Sequence, residues 1–503
     1  MRIAFKALVL VGATALAAPA LVAPMVAPAI AQGRGAPDSF ADLAANVSDA
    51  VVNISASQAA PERRAGNAPG TPPGAPRGTP FDDLFEEFFK RRQQGPDSDS
   101  GRQQPQQRRS NSLGSGFVID AAGIVITNNH VIADASEITV IFNDGQRLKA
   151  EVVGRDAKVD IAVLRVKPEK PLKAVKFGDS GKIRVGDWVM AVGNPFGLGG
   201  TVTVGILSAR NRNINSGPYD DYLQTDASIN KGNSGGPLFA MNGEVVGVNT
   251  AILSPSGGSV GIGFASPASV VKPIVDQLLQ FGETRRGWLG VRIQQVDDQI
   301  AESLGLGRAR GALVAGIDDK GPAKPAGLQS GDVIVRFDGQ DVKNSTDLPR
   351  IVAATPVGKE VDVGVVRGGK ERNLKVTLGR LEDGERIAAA ATQGGGDVKP
   401  PRSVLQKALG MEFSSLNAET RKQFNLKDGV KGVVVTNIEA SSPAAEKRVQ
   451  AGDVIVEINQ QPVNEPGDVI ARMKQAKDQG RKSALFLIAN AAGESRFVAL
   501  PVE

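Results

Sequence analysis

Residues 229–238 read "INKGNSGGPL", and whether Ser234 is part of a turn or a nucleophile decides how the rest of the chain is understood. Glycines at 232, 235 and 236 let the backbone turn tightly and approach its neighbours closely. On that ground alone Ser234 belongs to a small-residue turn. A nucleophilic serine needs a general base, usually an imidazole oriented by a carboxylate. The chain contains a single histidine, His130 in "TNNHVI". Asp160 opens the apolar run "DIAVLRV", and Ser234 follows it in the chain.

Working outward from this stretch, residues 113–265 carry short β-rich runs: "GSGFVI", "GIVIT", "EITVIF", "IAVLRV", "WVMAVG", "TVTVGILSA", "EVVGVNTAIL" and "VGIGFA". Gly, Asn and Asp turns separate them at the spacing of a sandwich or barrel. "SPASVVKPIVDQLLQFG" then predicts a helix capped by Ser266, with Pro267 in its first turn and Gly282 as terminator. Its apolar residues fall at 270, 271, 274, 275, 278 and 279, so one domain ends near residue 282. Residues 58–112 are rich in Gln, Pro, Arg and Gly around "FDDLFEEFFKRR". They predict a long loop with a short amphipathic patch, serving either as a plain linker or as a functional lid.

Set on such a domain, the order His130, Asp160, Ser234 matches a catalytic triad of the chymotrypsin type. "GNSGGP" supplies the small residues that let the amides of Gly232 and Ser234 turn toward one oxyanion. Each element alone has a plain structural reading as a core histidine, a strand cap or a loop. Their joint order on one β-rich domain carries the inference.

The full length of 503 residues allows several domains, and 41% apolar against 22% charged residues is an ordinary globular balance. "MRIAFKALVLVGATALAAPALVAPMVAPAIA" predicts a secretory signal removed after Ala31, because Pro19, Pro24 and Pro28 interrupt an apolar run short for a membrane span. An absence of cysteine excludes disulfides and thiolate metal sites, and a lone histidine argues against a transition-metal cluster. No cofactor is expected. The formal net charge is +5, of which Arg2 and Lys6 in the signal account for two units. That is too small and too dispersed to imply nucleic acid.

Beyond residue 282 the chain repeats itself. "GPAKPAGLQSGDVIVRFDGQDV" at 321–342 returns as "SSPAAEKRVQAGDVIVEINQQPV" at 441–463, sharing Gly-Asp-Val-Ile-Val at 331–335 and 452–456. The spacing is that of two copies of a domain, not of a solenoid. "GERIAAAATQGGGDVKPPR" at 384–402 between them has the composition of a flexible linker.

"TNNHVI", "DIAVL", "GNSGGPL", "NTAIL", "GIGFA" and the paired Gly-Asp-Val-Ile segments together resemble the HtrA family of exported serine proteases, with the two-PDZ layout of its DegP-type members. The resemblance implies a mainly β chain: a signal at 1–31, a chymotrypsin-like double β-barrel at 32–282, then α+β PDZ domains at 283–381 and 404–503 joined by a linker at 382–403. It makes His130 the general base, Asp160 its orienting carboxylate, Ser234 the nucleophile, and the Gly232 and Ser234 amides the oxyanion hole. Substrate contacts are implied at Ile229, Gly232, Asn233, Thr250, Ile252 and Leu253. Asn233 replaces the acidic residue that digestive relatives use for activation by a newly cut N-terminus, and uncharged Ser228 removes selection for a basic P1 side chain. Ile229, Ile252 and Leu253 resemble instead a small apolar specificity pocket.

"WLGV", Trp288, Leu289, Gly290 and Val291, and "LGM" at 409–411 resemble PDZ carboxylate loops, which hold a peptide C-terminus on backbone amides beside a strand edge. The first copy keeps the fuller pattern and is the expected binder; the second is expected to serve assembly. The resemblance further implies a periplasmic endopeptidase acting on unfolded polypeptides, a homotrimer or larger homo-oligomer with the 58–112 loop reaching neighbouring sites, and no stable membrane span. A PDZ-based holding chaperone or scaffold with little proteolysis is the alternative, separable by casein digestion with and without Ser234→Ala.

Overall fold

A computed structural model of the chain describes residues 37–57, 111–194, 200–230, 232–254, 258–391, 406–427 and 429–502. The expected signal at 1–31, the aromatic patch of the 58–112 loop and the linker beyond residue 391 lie outside the described residues. The chain divides into two compact units, residues 1–42 and 43–503. A helix α1 (Ala41–Ser48) begins at the end of the first, and all later elements belong to the second.

Strands β1 (Val51–Ser57), β2 (Asn111–Asp120), β3 (Ile124–Thr127), β4 (Glu137–Ile141), β5 (Arg147–Asp156) and β6 (Ile161–Arg165) close into a barrel in the order β1-β2-β3-β6-β5-β4. A single helical turn, α2 (Asn129–Ile132), leaves β3. The second barrel takes β7 (Trp188–Gly193), β8 (Thr201–Arg212), β9 (Tyr222–Thr225), β10 (Pro237–Ala240), β11 (Val245–Ile252) and β12 (Gly263–Pro267) in the order β10-β11-β12-β9-β8-β7. Closure pairs every strand on both sides, so neither barrel exposes an edge.

Near-continuous apolar runs such as "IAVLR" fit this arrangement because they are buried on both faces. Val52, Ile54, Val125, Val140 and Leu164 fill the first barrel, while Val189, Leu207, Leu223, Leu238 and Ala265 fill the second. A third cluster joins the barrels through Phe117, Ile126, Ile161, Met190, Val192 and Phe239, and receives Val271, Val275 and Leu278 from helix α3 (Ala268–Phe281). Each such side chain contributes about 1.5–3 kcal/mol of transfer energy, so this shared core fixes the barrels against each other.

The α3 helix ends on Gly282 in the left-handed region, φ 72°, as its sequence predicts. Its start differs from expectation: Pro267 is the cap, while Ser266 belongs to β12 and its hydroxyl lies 3.2 Å from Thr250 Oγ1. Leu279 is also exposed, since the buried stripe is 271, 275, 278.

The first repeat contains β13 (Gly287–Trp288), β14 (Val291–Gln295), α4 (Asp298–Ser303), β15 (Ala312–Ile317), β16 (Val333–Phe337), β17 (Gln340–Asp341), α5 (Asp347–Ala354), β18 (Glu360–Arg367), β19 (Lys370–Thr377) and β20 (Gly379–Arg380). A helix α6 (Leu381–Ala391) follows, so the first part of the expected flexible linker is helical; its Leu, Glu, Arg and Ala residues are strong helix formers.

The second repeat contains β21 (Gln406–Ala408), β22 (Met411–Ser415), α7 (Ala418–Gln423), β23 (Val433–Ile438), α8 (Pro443–Glu446), β24 (Val454–Ile458), β25 (Gln461–Pro462), α9 (Pro466–Asp478), β26 (Ser483–Ala489) and β27 (Ser495–Pro501). The two repeats share a core of Val296, Ile300, Leu313, Val335, Leu485, Leu487, Phe497 and Ala499. Across it the Gln294 amide donates to Phe497 O at 2.7 Å and accepts Phe497 N–H at 2.8 Å. No helix among the described residues is long and apolar enough to cross a membrane.

Candidate active site

His130 sits on α2, where the apolar face of that turn is anchored by buried Val131 and Ile132. Its Nδ1 lies 2.6 Å from Asp160 Oδ2, and its backbone N–H donates to Oδ1 of the same carboxylate at 2.8 Å. The carboxylate is fully buried beneath a partly exposed ring. A carboxylate on Nδ1 selects the tautomer that leaves Nε2 as the basic nitrogen.

Asp160 has φ 60°, a left-handed conformation that aspartate tolerates better than most residues. Several contacts hold it there. Its carbonyl accepts from Asn128 Nδ2 at 2.7 Å and from Asn129 N–H at 3.2 Å. The turn before it is capped by Asp156, whose Oδ1 accepts the N–H groups of Lys158 and Val159 at 2.9 and 3.2 Å. Asp156 Oδ2 is paired with Arg286 Nη2 at 2.5 Å, and both residues are buried. The same guanidinium lies 4.8 Å over the Tyr219 ring. Burial pushes the Tyr219 hydroxyl up to about 12, with Arg286 pulling the other way.

Ser234 lies between β9 and β10 of the second barrel, yet β2 of the first barrel holds its loop. Ser115 N–H donates to Ser234 O at 2.8 Å, Ser115 Oγ donates to Gly232 O at 2.5 Å, and Asn194 N–H donates to the same hydroxyl at 2.8 Å. Gly235, at φ 84°, admits no side chain: a Cβ would collide with Ser115 O and Thr127 Oγ1 and stand 3.0 Å from Asn128 N. The Ser234 loop is thereby pressed against the residue that begins the His130 turn. Among the described residues no acceptor takes the N–H of Gly232 or of Ser234, whereas Asn233 N–H goes to Asn230 O and Gly236 N–H to Asn233 O. Two backbone N–H groups with no acceptor among the described residues, beside a serine, suit an oxyanion.

Residues 114–248 match the trypsin-like peptidase domain family, and residues 287–378 and 407–490 each match the PDZ domain family. A probable periplasmic serine endoprotease DegP-like of Rhizobium meliloti (strain 1021) is 47% identical over 394 residues, covering 78% of this chain and 76% of that protein. The DegP-like protein of Pseudomonas putida (strain W619) is 42% identical over 473 residues, 93% of this chain and 94% of its own. The chain belongs to the DegP-like serine endoproteases.

Solved structures agree with the family. HtrA-type protease AlgW with a tripeptide superposes with a TM-score of 0.55 at 36% identity, covering 68% of this chain and 97% of that one. The AlgW S227A form with a decapeptide gives 0.54 at 38% identity over the same shares. The chain is thus a serine endopeptidase with a chymotrypsin-like double barrel followed by PDZ domains.

In this DegP-like chain the remaining residues singled out from sequence fall in different places. Ile229 and Ile252 join one apolar cluster at the second barrel, Asn233 is buried in the Ser234 loop, and Ser228 is exposed. Thr250 is fully buried with its hydroxyl donated to Val248 O at 2.9 Å, so its side chain is turned inward. Leu253 stands at the rim, 62% exposed.

In the first PDZ domain the carbonyls of Leu289 and Gly290 accept from Ala323 N–H and Asp318 N–H, both at 2.9 Å. The Leu289 and Gly290 amides meet no acceptor among the described residues. Trp288 is spent differently, its backbone paired to β20 and its indole against Gly384. Ser115, Thr127, Asn128, Asp156 and Arg286 escape sequence reading. Thr127 and Asn128 carry a signal, by their place in "TNNHVI"; Ser115 acts across the barrels, Arg286 reaches Asp156 from beyond them, and Asp156 caps the turn ahead of Asp160.

Proposed function

We propose that Ser234 is the nucleophile of this endopeptidase, His130 its general base, Asp160 the orienting carboxylate, and the Gly232 and Ser234 amides the oxyanion hole. The observation that carries this reading is the Ser115 bridge, by which a first-barrel strand holds the Ser234 loop beside the turn bearing His130. Ser234 Oγ attacks the scissile carbonyl while its proton passes to His130 Nε2. Asp160 steadies the resulting imidazolium. Oxygen charge develops toward the two amides, the imidazolium gives its proton to the leaving amine, and water releases the acyl group by the same steps.

Substrates are extended, unfolded polypeptides cut after Val, Ala or Ile, with Ile229 and Ile252 forming the apolar wall of the pocket. A buried, unpaired Lys or Arg there would cost several kcal/mol. The first PDZ domain captures C-termini on the Leu289–Val291 loop, and retained binding of unfolded chains supplies a holding activity beside proteolysis. We place the domains at 32–282, 283–381 and 404–503, with export to the periplasm, cleavage after Ala31, and assembly into homotrimers or larger homo-oligomers. Casein digestion read by mass spectrometry tests the reading. Cuts should follow small aliphatic residues and vanish in Ser234→Ala, which should still suppress aggregation of unfolded chains; a majority of cuts after Lys or Arg would overturn the pocket.

A further inference from the structure

We propose that the second PDZ domain is filled by its own chain: strand β21, Gln406–Ala408, occupies the place of a captured C-terminal tail, so only the first PDZ domain is open to peptides at rest. The inference rests on the reading of the first domain as a carboxylate-capturing module.

The two repeats treat the same positions differently. In the first, β14 pairs with β15 on one side and forms the edge of its sheet on the other, while Gly287–Trp288 turn away to pair with β20. In the second, β22 pairs with β23 on one side and with β21 on the other, in the register Ala408↔Met411, Lys407↔Glu412, Gln406↔Phe413. A tail held by the loop before β22 would run antiparallel to that strand, its last residue beside Met411. The β21 strand runs in this direction and ends at this place.

The loop itself is reshaped by the contact. Leu409 and Gly410 have φ 54° and 69°, the two left-handed residues of a tight hairpin turn. In the first domain the glycine alone is left-handed, Gly290 at φ 75°. A left-handed leucine persists only where its surroundings hold it. Here Ala408 and Leu409 pack on the core that includes Val469, Met473 and Ala476 of α9, the helix that would line a bound peptide. Gly410 O accepts Glu439 N–H at 2.8 Å and fixes the turn from behind. Because β21 is tethered, its effective concentration at the groove greatly exceeds that of a free peptide. An extended chain with an apolar last residue and a free carboxylate enters the second domain only when β21 peels away.

The test uses full-length protein carrying Ser234→Ala and a fluorescent decapeptide ending in valine with a free carboxylate, titrated into protein held well above the dissociation constant. One peptide per chain is expected, rising to two when residues 403–407 are deleted. Two per chain before deletion overturns the proposal, as does one after deletion while the β24 and β26 amides remain protected from hydrogen exchange. Hydrogen exchange on the undeleted protein gives a second reading independent of the deletion. The Met411 and Phe413 amides should be protected without peptide and unchanged by it, while β14 gains protection; unprotected Met411 and Phe413 amides in the free protein contradict self-occupancy. Absence of any peptide binding, or equal binding of an amidated peptide, refutes carboxylate capture instead, and the exchange of Met411 and Phe413 still decides whether β21 fills the groove.

Discussion

Asp160 keeps an uncommon backbone shape because a buried ion pair well behind it caps the preceding turn. Breaking a buried pair by removing one partner leaves an uncompensated charge and costs about 3–5 kcal/mol. Arg286→Gln should therefore lower the unfolding free energy by about that amount, read by denaturant titration, and should lower kcat more than it raises KM, because the loosened turn misplaces Asp160. Unchanged kcat in a folded Arg286→Gln protein would show that Asn128 and Asn129 hold Asp160 unaided. Asp160→Asn should cost about 10³–10⁴-fold in kcat with little loss of substrate binding, since an amide favours the wrong imidazole tautomer. The pairing of His130 with Asp160 was legible because the sequence holds a single histidine, with an aspartate opening the apolar run that follows it. Arg286 and Ser115 were not, because each acts on a partner far away in sequence; Asp156 caps a local turn, but its pairing with Arg286 is equally distant.

At the scale of elements, short apolar runs between Gly, Asn and Asp turns announced most barrel strands, whereas β1, "VVNISAS", was missed because the 58–112 stretch separates it from its neighbour β2. The α3 cap was misread for a similar reason: Ser266 resembles a local helix signal, but pairing with β11 claims it for β12. In the second PDZ domain, β24 carries Glu457, whose carboxyl is raised above its ordinary value by burial alone. A carboxyl raised in the folded state takes up protons on folding, so its ionisation penalises the fold above that pKa and the penalty fades as pH falls through it. Glu457→Gln should raise the Tm at pH 7, read by thermal unfolding. The advantage should shrink toward pH 4; a constant Tm difference between pH 7 and 4 would contradict the burial penalty.

For the whole molecule, the protease domain meets the first PDZ domain through Arg350–Asp221 at 3.2 Å, beside the buried Asp156–Arg286 bridge, and meets helix α6 through a Lys158–Glu385 pair. Partly exposed pairs contribute about 0–1 kcal/mol each, so Arg350→Ala should leave the protein folded and active within that margin, as unfolding and casein assays would show. The two-domain repeat was visible in the shared Gly-Asp-Val-Ile-Val, but its asymmetry was not, since equivalent residues 287–288 and 407–408 choose different strand partners only in the folded chain. On the proposed reading, the two barrels assemble one reactive serine from His130, Asp160 and Ser234. Its most direct measurement is intact-mass and peptide mapping of full-length protein after a fluorophosphonate, whose fluoride is displaced by the serine oxygen. We expect one phosphonyl group per chain on Ser234, loss of casein cleavage in proportion, and almost no labelling of His130→Gln. Full casein cleavage after complete labelling of Ser234, or rapid labelling of His130→Gln, would contradict it.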